Sequence, residues 1–230
     1  MPLRNIILNN RGMNDKPTPY YDHAGITIYH GDCRDILPHL EPVDLCVADP
    51  PYNAKKDYGV CKDNLPPKEY AMFVTTVVCM CRNIAQNQFW VAPRYKLATW
   101  MVPLYDAHLI VVRRGAQGPF RQGWSDQFEI ALSVGKPNKA ERDLWEDIRL
   151  KGEGYFFTEE TYGHPGYSPY KIMYRAVELL SKKSIVDPMC GTGTTLVAAK
   201  ELGRKAIGIE IEEKYCEIAV RRLAQEVLPL

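Results

Sequence analysis

The hydrophobic positions of this chain fall into short strand-like runs that alternate with longer helix-like patterns. Strands are predicted where apolar, often β-branched residues run without a helical period, at residues 26–32, 43–48, 87–93, 107–115, 128–137, 184–187 and 204–211. Helices are predicted where apolar residues recur every three or four positions, at residues 66–85, 168–183, 194–203 and 212–227. The alternation predicts an α/β fold with a doubly wound, mostly parallel, seven-stranded, Rossmann-like sheet.

Two polar stretches fall outside this pattern. Residues 1–24 carry scattered proline and asparagine and are predicted to form an N-terminal arm. Residues 136–163 are charged and aromatic without a clear period, which favours a surface insertion. We therefore expect a single domain over residues 1–230, long enough to bury a sizeable core.

The composition, 46% hydrophobic and 25% charged residues, is ordinary for a globular protein. The net charge is only +1, so a polyanion would have to meet a local basic patch. The seven cysteines form no C-x-x-C pair and the five histidines no H-x-x-x-H pair, which favours reduced thiols and no metal site. No apolar run approaches the ~20 residues of a membrane span, and no apolar leader is evident. We expect a cytoplasmic protein without a membrane partner.

A glycine-rich loop, "DPMCGTGTT" (187–195), joins a predicted strand to a predicted helix. Gly191 and Gly193 permit a tight turn and close approach of a ligand, and the helix N-terminus offers N–H groups to an anion. The loop has no lysine, so it is not a phosphate-binding P-loop, and Leu196 replaces the third glycine of the dinucleotide fingerprint. A turn that merely connects strand and helix is the alternative.

Acidic residues accompany this loop. Asp187 opens it, and Glu210 ends the next predicted strand, where a carboxylate can accept hydrogen bonds from ribose hydroxyls. This pattern fits a ligand with an adenosine end and a cationic middle, and S-adenosylmethionine is such a ligand. Its ammonium suits Asp187, its carboxylate the helix N-terminus and its ribose Glu210. Asp32, after another strand, either receives the adenine amino group or only caps a turn.

The stretch Asp49-Pro50-Pro51-Tyr52 ends a predicted strand on a rigid turn, because each proline fixes φ and removes a donor. An exocyclic amino group on adenine or cytosine is a poor nucleophile, since its lone pair is delocalised into the ring. Asp49 and the Pro50 carbonyl can accept its two N–H bonds and direct the lone pair at a methyl group, while Tyr52 stacks on the flipped-out base. A strand-ending turn with a packed tyrosine is the alternative.

Together these motifs resemble those of the amino-group DNA methyltransferases in the permuted, β-class order, in which the catalytic tetrapeptide precedes the cofactor loop. The resemblance is carried by "GDC" (31–33), "VDLCVADPPYN" (43–53), "HPGYSP" (164–169), "IVDPMCGTGTTLVAAKELGRKAIGIEI" (185–211) and "YCEIAVRRL" (215–223). It implies a methyltransferase sheet with short inserted DNA-recognition loops, S-adenosylmethionine as cofactor, and Asp49, Pro50, Pro51 and Tyr52 as the catalytic residues.

The resemblance also implies a set of cofactor-binding residues: Asp32, Cys33, His164, Pro165, Asp187, Pro188, Gly191, Gly193, Thr194, Thr195 and Glu210. Ser168 stands where the family usually has lysine, which weakens the transfer of roles onto the His-Pro segment. An aspartate at position 49 favours adenine N6 over cytosine N4 as the target, and the absence of a Pro-Cys dipeptide argues against cytosine C5 chemistry.

Residues 136–163 are predicted to be a target-recognition insertion, and basic residues outside the scaffold are the predicted DNA contacts: Lys55, Lys56, Arg113, Arg114, Arg121 and Lys139. Ordinary solvated surface charge is the alternative for each. The expected partner is duplex DNA, bound by a monomer or homodimer in a bacterial or phage-infected cell, in a setting such as restriction-modification. A catalytically idle DNA-binding module and a nicotinamide dehydrogenase are the competing readings, the second weakened by the missing third glycine.

Overall fold

The computed structural model describes residues 16–113, 120–121, 124–125, 128–145 and 170–224. The central sheet of this part contains β1 (Tyr21–His23), β2 (Ile26–His30), β3 (Val43–Ala48), β6 (Ala85–Ala92), β7 (His108–Arg113), β10 (Phe128–Val134), β11 (Leu144–Trp145), β12 (Ser184–Asp187) and β13 (Lys205–Glu210). Two small hairpins lie outside it and consist of β4 (Asp57–Tyr58) with β5 (Cys61–Lys62) and β8 (Phe120–Arg121) with β9 (Trp124–Ser125).

The strand order across the sheet is β1-β2-β13-β12-β3-β6-β10-β7-β11. Five neighbours in the middle, β2, β13, β12, β3 and β6, are all parallel. Strand β10 is antiparallel to both β6 and β7, so β7 again points the same way as the five. The carboxyl ends of these six strands therefore lie along one edge of the sheet, called here the carboxyl edge, where ligands bind in open α/β folds.

Helices cover both faces of the sheet. They are α1 (Cys33–Ile36), α2 (Pro67–Ile84), α3 (Leu97–Met101), α4 (Tyr170–Leu180), α5 (Thr194–Glu201) and α6 (Glu213–Ala224). Residues of α4, α5 and α6 pack in one core cluster, and residues of α1, α2 and α3 pack in the other. Within the described residues, none of these helices combines the length and the apolar character needed to cross a membrane.

The pattern of β3 explains why its run of apolar residues is continuous. Leu45 and Val47 belong to the core cluster of α4 to α6, whereas Cys46 and Ala48 belong to the cluster of α1 to α3. Successive side chains of a strand point to opposite faces, so a strand covered on both faces needs apolar residues at every position. The unbroken apolar run "LCVA" (45–48) thus reflects a strand that is covered by helices on both faces.

All seven predicted strands are present, as β2, β3, β6, β7, β10, β12 and β13, and the α/β prediction is confirmed. Within the described residues the sheet has nine strands rather than seven, because β1 and β11 extend it at its two edges. Strand β1 lies in the predicted arm, where Tyr21 to His23 pair with β2. The rest of that arm up to residue 15 lies outside the described residues.

Of the predicted surface insertion at residues 136–163, the structure describes residues 136–145, and the rest lies outside the described residues. Leu144 and Trp145 pair with β7, and Trp145 is only 1% exposed. Its indole stacks on Phe89, with ring centroids 5.4 Å apart, and its Nε1 donates to the Arg142 carbonyl at 3.1 Å. One aromatic residue in a charged stretch therefore belongs to the core.

Candidate active site at the carboxyl edge

Four of the predicted site residues come together at the ends of four adjacent parallel strands. Glu210 and Asp187 are the last residues of β13 and β12, Asp49 directly follows β3, and Asp32 follows β2 after one glycine. In the order of the sheet they read Asp32, Glu210, Asp187, Asp49. The carboxyl edge therefore gathers four carboxylates from distant parts of the chain.

The glycine loop owes its shape to its backbone. Gly191 and Gly193 have φ angles of +51° and +81°, in the left-handed region that side chains disfavour. A Cβ on Gly193 would also lie 2.8 Å from the Cβ of Ala219 in α6. The Gly193 N–H donates to the Cys190 carbonyl at 2.8 Å, which closes the turn directly before α5 begins. Glycine is thus required at position 193 by both conformation and packing.

Glu210 is locked to this loop. Its Oε2 accepts from the Gly191 N–H at 2.8 Å, and its Oε1 accepts from the Glu212 N–H at 2.9 Å. The residue is 8% exposed, and burial raises the pKa of its carboxyl although these N–H groups oppose the shift. A carboxylate oxygen can accept more than one hydrogen bond, so Glu210 keeps acceptor capacity for a ligand.

Asp187 is a buried acid of the site with a raised pKa. It is 2% exposed, and burial raises its pKa to about 7, against hydrogen bonds from the Thr195 side chain and the Met189 N–H. The negative charges of Asp49 and Glu210 raise this pKa further. A cationic ligand would reverse this electrostatic cost by pairing with the charged form.

Several predicted cofactor residues turn their side chains into the protein instead. Thr194 Oγ1 accepts from Arg222 Nη1 at 3.1 Å, and the same guanidinium donates to the Thr192 carbonyl at 2.7 Å. Cys33 is 5% exposed in the core cluster of α1 to α3, and Pro188 is buried. The side chains of Thr194 and Cys33 therefore face the protein interior, and their cofactor contacts stay predictions. The predictions for His164 and Pro165 lie outside the described residues.

Asp32 takes the capping role that was the alternative to adenine binding. Its Oδ1 accepts from the Arg34 N–H at 2.9 Å as the N-cap of α1, and its carboxylate pairs with the Arg34 guanidinium. Burial raises the pKa of Asp32, but the hydrogen bonds and charge of Arg34 outweigh it, and the net shift is downward. Asp32 is therefore an ionised, oriented carboxylate, and its adenine contact stays a prediction.

The catalytic turn, Asp49 to Tyr52, is a compact acceptor site. The Tyr52 hydroxyl donates to Asp49 Oδ1, and the Pro51 carbonyl accepts from the Tyr70 hydroxyl at 3.2 Å. Burial, followed by the negative charge of Asp49, raises the pKa of Tyr52 well above its ordinary value. The phenol consequently stays protonated, and it orients the carboxylate beside it.

A small hairpin, β4 with β5, leads away from the catalytic turn and reaches the cofactor side of the edge. The Val60 N–H at its tip donates to Glu212 Oε1, two residues beyond Glu210. Gly59 has a φ of +87°, and a Cβ there would lie 2.6 Å from Glu212 Oε1. The hairpin therefore links the catalytic turn to the end of β13.

The predicted DNA contacts divide into two groups. Lys55 and Lys56 are exposed just after the catalytic turn, and Arg113 ends β7 at the carboxyl edge. Arg121 lies in β8, and Arg114 lies outside the described residues. Lys139 follows β10, which runs antiparallel to its two neighbours, and it pairs with Glu178 at 3.5 Å. It sits at the opposite edge from Asp49.

Sequence reasoning missed a basic and aromatic turn beside the site. Arg94, Tyr95 and Lys96 follow β6, the neighbour of β3, and Tyr95 is 60% exposed. The Arg94 guanidinium lies 4.9 Å from the Phe128 ring centroid, and Lys96 Nζ donates to the Asn53 carbonyl at 2.9 Å. The signal was "PRYK" (93–96) directly after a buried strand.

Comparisons with known proteins agree with this geometry. A family model described as a DNA methylase of the N6/N4 type matches residues 126–221. The chain is 28% identical to the Type II methyltransferase M.ScaI of Streptomyces caespitosus, over 92% of this chain and 86% of the relative. It is 24% identical to the DNA adenine methyltransferase YhdJ of Escherichia coli (strain K12), over 90% of this chain and 85% of the relative.

Solved structures share the fold. The crystal structure of the M1.HpyAVI-SAM complex has a TM-score of 0.65 at 20% identity and covers 87% of this chain and 100% of its own. The PvuII DNA methyltransferase, which is cytosine-N4-specific, has a TM-score of 0.71 at 15% identity and covers 94% of this chain and 92% of its own. The predicted methyltransferase-type sheet is thereby confirmed.

Proposed function

Because this chain belongs to the amino-group DNA methyltransferase family, we propose that it transfers a methyl group from S-adenosylmethionine to the N6 amino group of adenine in DNA. The observation that carries the proposal is the pairing of two acids on neighbouring strands. Asp187 ends β12, Asp49 follows β3, and the charge of Asp49 contributes to the raised pKa of Asp187. A cation beside Asp187 would thus lie next to the acceptor of a base amino group.

The residues of the cofactor side fit S-adenosylmethionine. Asp187 is buried and gains stabilisation from an ammonium group, and Glu210 retains acceptor capacity for ribose hydroxyls. Gly191 and Gly193 have no side chain that would hold a ligand away from the loop backbone. When bound, the cofactor supplies an electrophilic methyl group on its sulfonium sulfur. These residues hold it at the carboxyl edge.

The residues of the catalytic turn act on the base. Asp49 Oδ and the Pro50 carbonyl accept hydrogen bonds from the two N–H groups of the amino group. This localises the nitrogen lone pair and points it towards the methyl group. Tyr52 stacks on the base, and the Tyr52 hydroxyl, which donates to Asp49, keeps the carboxylate oriented. Since the amino group is inaccessible in a duplex, the base is flipped out first. The transfer is direct and has no covalent enzyme–base intermediate.

Adenine is the proposed target because an aspartate opens the tetrapeptide and because YhdJ, an adenine methyltransferase, is a relative over most of the chain. Cytosine N4 is the second candidate, and the structural likeness to the cytosine-N4-specific PvuII enzyme favours it. Both targets present an exocyclic amino group. The same acceptor geometry therefore serves either base.

Duplex DNA is the proposed partner, bound along the carboxyl edge by a monomer or homodimer. Lys55, Lys56 and Arg113 are proposed to contact phosphates there, together with Arg114 and Arg121. Arg94, Tyr95 and Lys96 extend this basic surface next to the catalytic turn. Tyr95 offers an exposed ring for stacking on an unpaired base.

The test is to incubate the chain with labelled S-adenosylmethionine and mixed-sequence duplex DNA, digest the DNA and identify the nucleosides by mass spectrometry. N6-methyladenine is expected. N4-methylcytosine would keep the mechanism and overturn the choice of base. No methylated nucleoside, with cofactor binding intact, would leave a catalytically idle DNA-binding module. Binding of a nicotinamide cofactor instead would overturn the proposal altogether.

A further inference from the structure

The segment from Asn53 to Leu65, called here the strap, directly follows the catalytic turn and is closed at its neck by side-chain hydrogen bonds. Asn53 Nδ2 donates to the Leu65 carbonyl at 2.9 Å, and the Leu65 N–H donates to Asn53 Oδ1 at 2.6 Å. The Asn53 side chain thus pairs with the backbone of a residue 12 positions further along the chain. The two ends of the strap are tied together.

Asp63 fills the neck of the strap. It is 4% exposed, its Oδ1 accepts from the Asn53 N–H at 2.5 Å, and its Oδ2 accepts from the N–H groups of Ala54 and Lys56 at 2.8 and 3.1 Å. The Asp63 carbonyl accepts from the Lys55 N–H at 2.7 Å. Four successive N–H groups therefore converge on one residue, three of them through charge-assisted hydrogen bonds.

The backbone held in this way adopts angles that non-glycine residues avoid. Asn53 and Lys55 have φ values of +55° and +64°. Such angles are disfavoured for a lysine, and less so for an asparagine, and they persist where the surroundings enforce them. The Asp63 carboxylate supplies that enforcement, because all of the N–H groups from residues 53 to 56 point at this one residue.

The strap joins the catalytic turn without a spacer, since Asn53 follows Tyr52. The peptide on one side of Tyr52 is held by the Tyr70 hydroxyl at the Pro51 carbonyl. The peptide on the other side is held by Asp63 at the Asn53 N–H and by Lys96 Nζ at the Asn53 carbonyl. Displacement of the Asp63 contacts would therefore shift Tyr52 and its hydrogen bond to Asp49.

We propose that Asp63 is a positioning residue for methyl transfer: its buried carboxylate fixes residues 53–56 and thereby sets the direction of Asp49 and Tyr52 towards the base. This role rests on the proposed function. Asp63 is buried and its carboxylate accepts from N–H groups of the strap, so its loss would act on the geometry of the transfer step. A displacement of about 1 Å in an active site can cost on the order of 10²-fold in rate.

The test compares Asp63→Asn with Asp57→Asn. Asparagine keeps the size of Asp63, but its amide nitrogen cannot accept, so at least one of the three hydrogen bonds is lost. Asp57 lies in the same strap and accepts from the Gly59 N–H at 2.9 Å, but it is exposed. The measurements are the single-turnover rate at saturating cofactor and DNA, the dissociation constant of S-adenosylmethionine, and the melting temperature.

We expect Asp63→Asn to slow single-turnover transfer by about 10- to 100-fold, with cofactor affinity within twofold of wild type, while Asp57→Asn stays within twofold in both. An unchanged rate in Asp63→Asn overturns the positioning role, as does a parallel loss of rate, cofactor affinity and melting temperature. A wild-type chain that forms no methylated nucleoside overturns the proposed function, and the positioning role with it.

Discussion

At the ends of β12 and β13 the backbone itself holds the site, whereas after β3 side chains hold it. The part proposed to hold the cofactor, called here the cofactor half, consists of the glycine loop (187–195) and Glu210. Its loop has glycine φ angles in the left-handed region, a loop N–H group holds Glu210, and Asp187 is buried in the sheet. In the part proposed to hold the base, called here the base half (residues 49–65), the side chains of Asn53 and Asp63 fix the chain through hydrogen bonds to residues 12 and 10 positions away. The cofactor half is thus built from strand ends and loop backbone, whereas the base half depends on a few individual side chains.

This difference predicts opposite sensitivities. Added volume should damage the cofactor half, because its loop packs against α6 with no room for a Cβ at Gly193. Removal of a polar group should damage the base half, because hydrogen bonds from side chains keep its unusual backbone in place. Variants in the two halves should therefore separate effects on binding from effects on transfer.

The largest effect is expected for Asp49→Ala in the base half. Loss of the acceptor for the base amino group should lower turnover by at least about 10²- to 10³-fold. Cofactor binding should largely survive, because Asp187 and the contacts between Glu210 and the glycine loop are unchanged. Methyl-transfer assays and cofactor titrations check both points. Near-normal turnover would refute the role of Asp49.

The next effect concerns volume in the cofactor half, with Gly193→Ala set against Gly203→Ala. Both glycines have left-handed φ angles, +81° and +65°, but only Gly193 faces another atom, at 2.8 Å, while nothing lies within 4 Å of Gly203. We expect Gly193→Ala to lower the free energy of unfolding by about 2–4 kcal/mol and Gly203→Ala by about 1 kcal/mol. Denaturant titrations measure both. Equal losses would show that packing on α6 does not matter.

A third effect is pH-dependent and isolates Asp187. Its ionised form binds an ammonium, so cofactor affinity should rise from pH 5.5 to 7, by at most about tenfold per pH unit, and Asp187→Asn should bind weakly without that rise. Titrations of cofactor binding across this range check it. An Asp187→Asn chain with wild-type affinity would contradict the assignment.

The contribution of Asp187 to the free energy of unfolding should fall as the pH rises, whereas its contribution to cofactor affinity rises. Its pKa is raised from 3.8 to about 7 on folding, so its contribution is fully present below pH 3.8 and is lost as the pH rises through 7. Asp187→Asn removes this loss. The variant should therefore be more stable than wild type at pH 8 while it binds cofactor less well.

The smallest effect distinguishes the two edges of the sheet. Lys55→Ala, beside the catalytic turn, should weaken DNA binding a few-fold and reduce the slope of log affinity against log salt by about 1. Lys139→Ala should leave both unchanged, because Lys139 lies at the opposite edge in an ion pair with Glu178. Binding titrations at several salt concentrations test the pair. Equal slopes in the two variants would count against DNA along the carboxyl edge.

The two halves also differed in how far the sequence could predict them. The sequence assigns Asp187 and Glu210 to a cofactor and Asp49 to a base, and the structure brings them to one edge because each ends or follows a buried parallel strand. Asp63 and Asn53 were not predicted, since their hydrogen bonds depend on how a polar segment folds back on itself. Arg222 escaped notice for a similar reason, as its contact with Thr192 requires α6 to cross the loop.

The fold shows the same division. The seven predicted strands are long apolar runs, whose burial is visible in their composition. Strands β1 and β11 have three and two residues and carry no pattern of their own, so they form only where a neighbouring strand offers a free edge. Trp145 shows the limit most clearly, because its charged surroundings in sequence conceal a place in the core.

Trp145 also bears on how a protein of this kind can evolve. Its indole stacks on Phe89 of β6, and the Cζ atom of Arg175 in α4 lies 4.9 Å from the indole centroid. Residues of β6, β11 and α4 therefore pack together around one side chain. The entropy of closing a connection between two such elements grows only slowly with its length. During evolution, changes in the number of residues between β11 and α4 should therefore cost little stability, so that the chain can vary here while the carboxyl edge is retained.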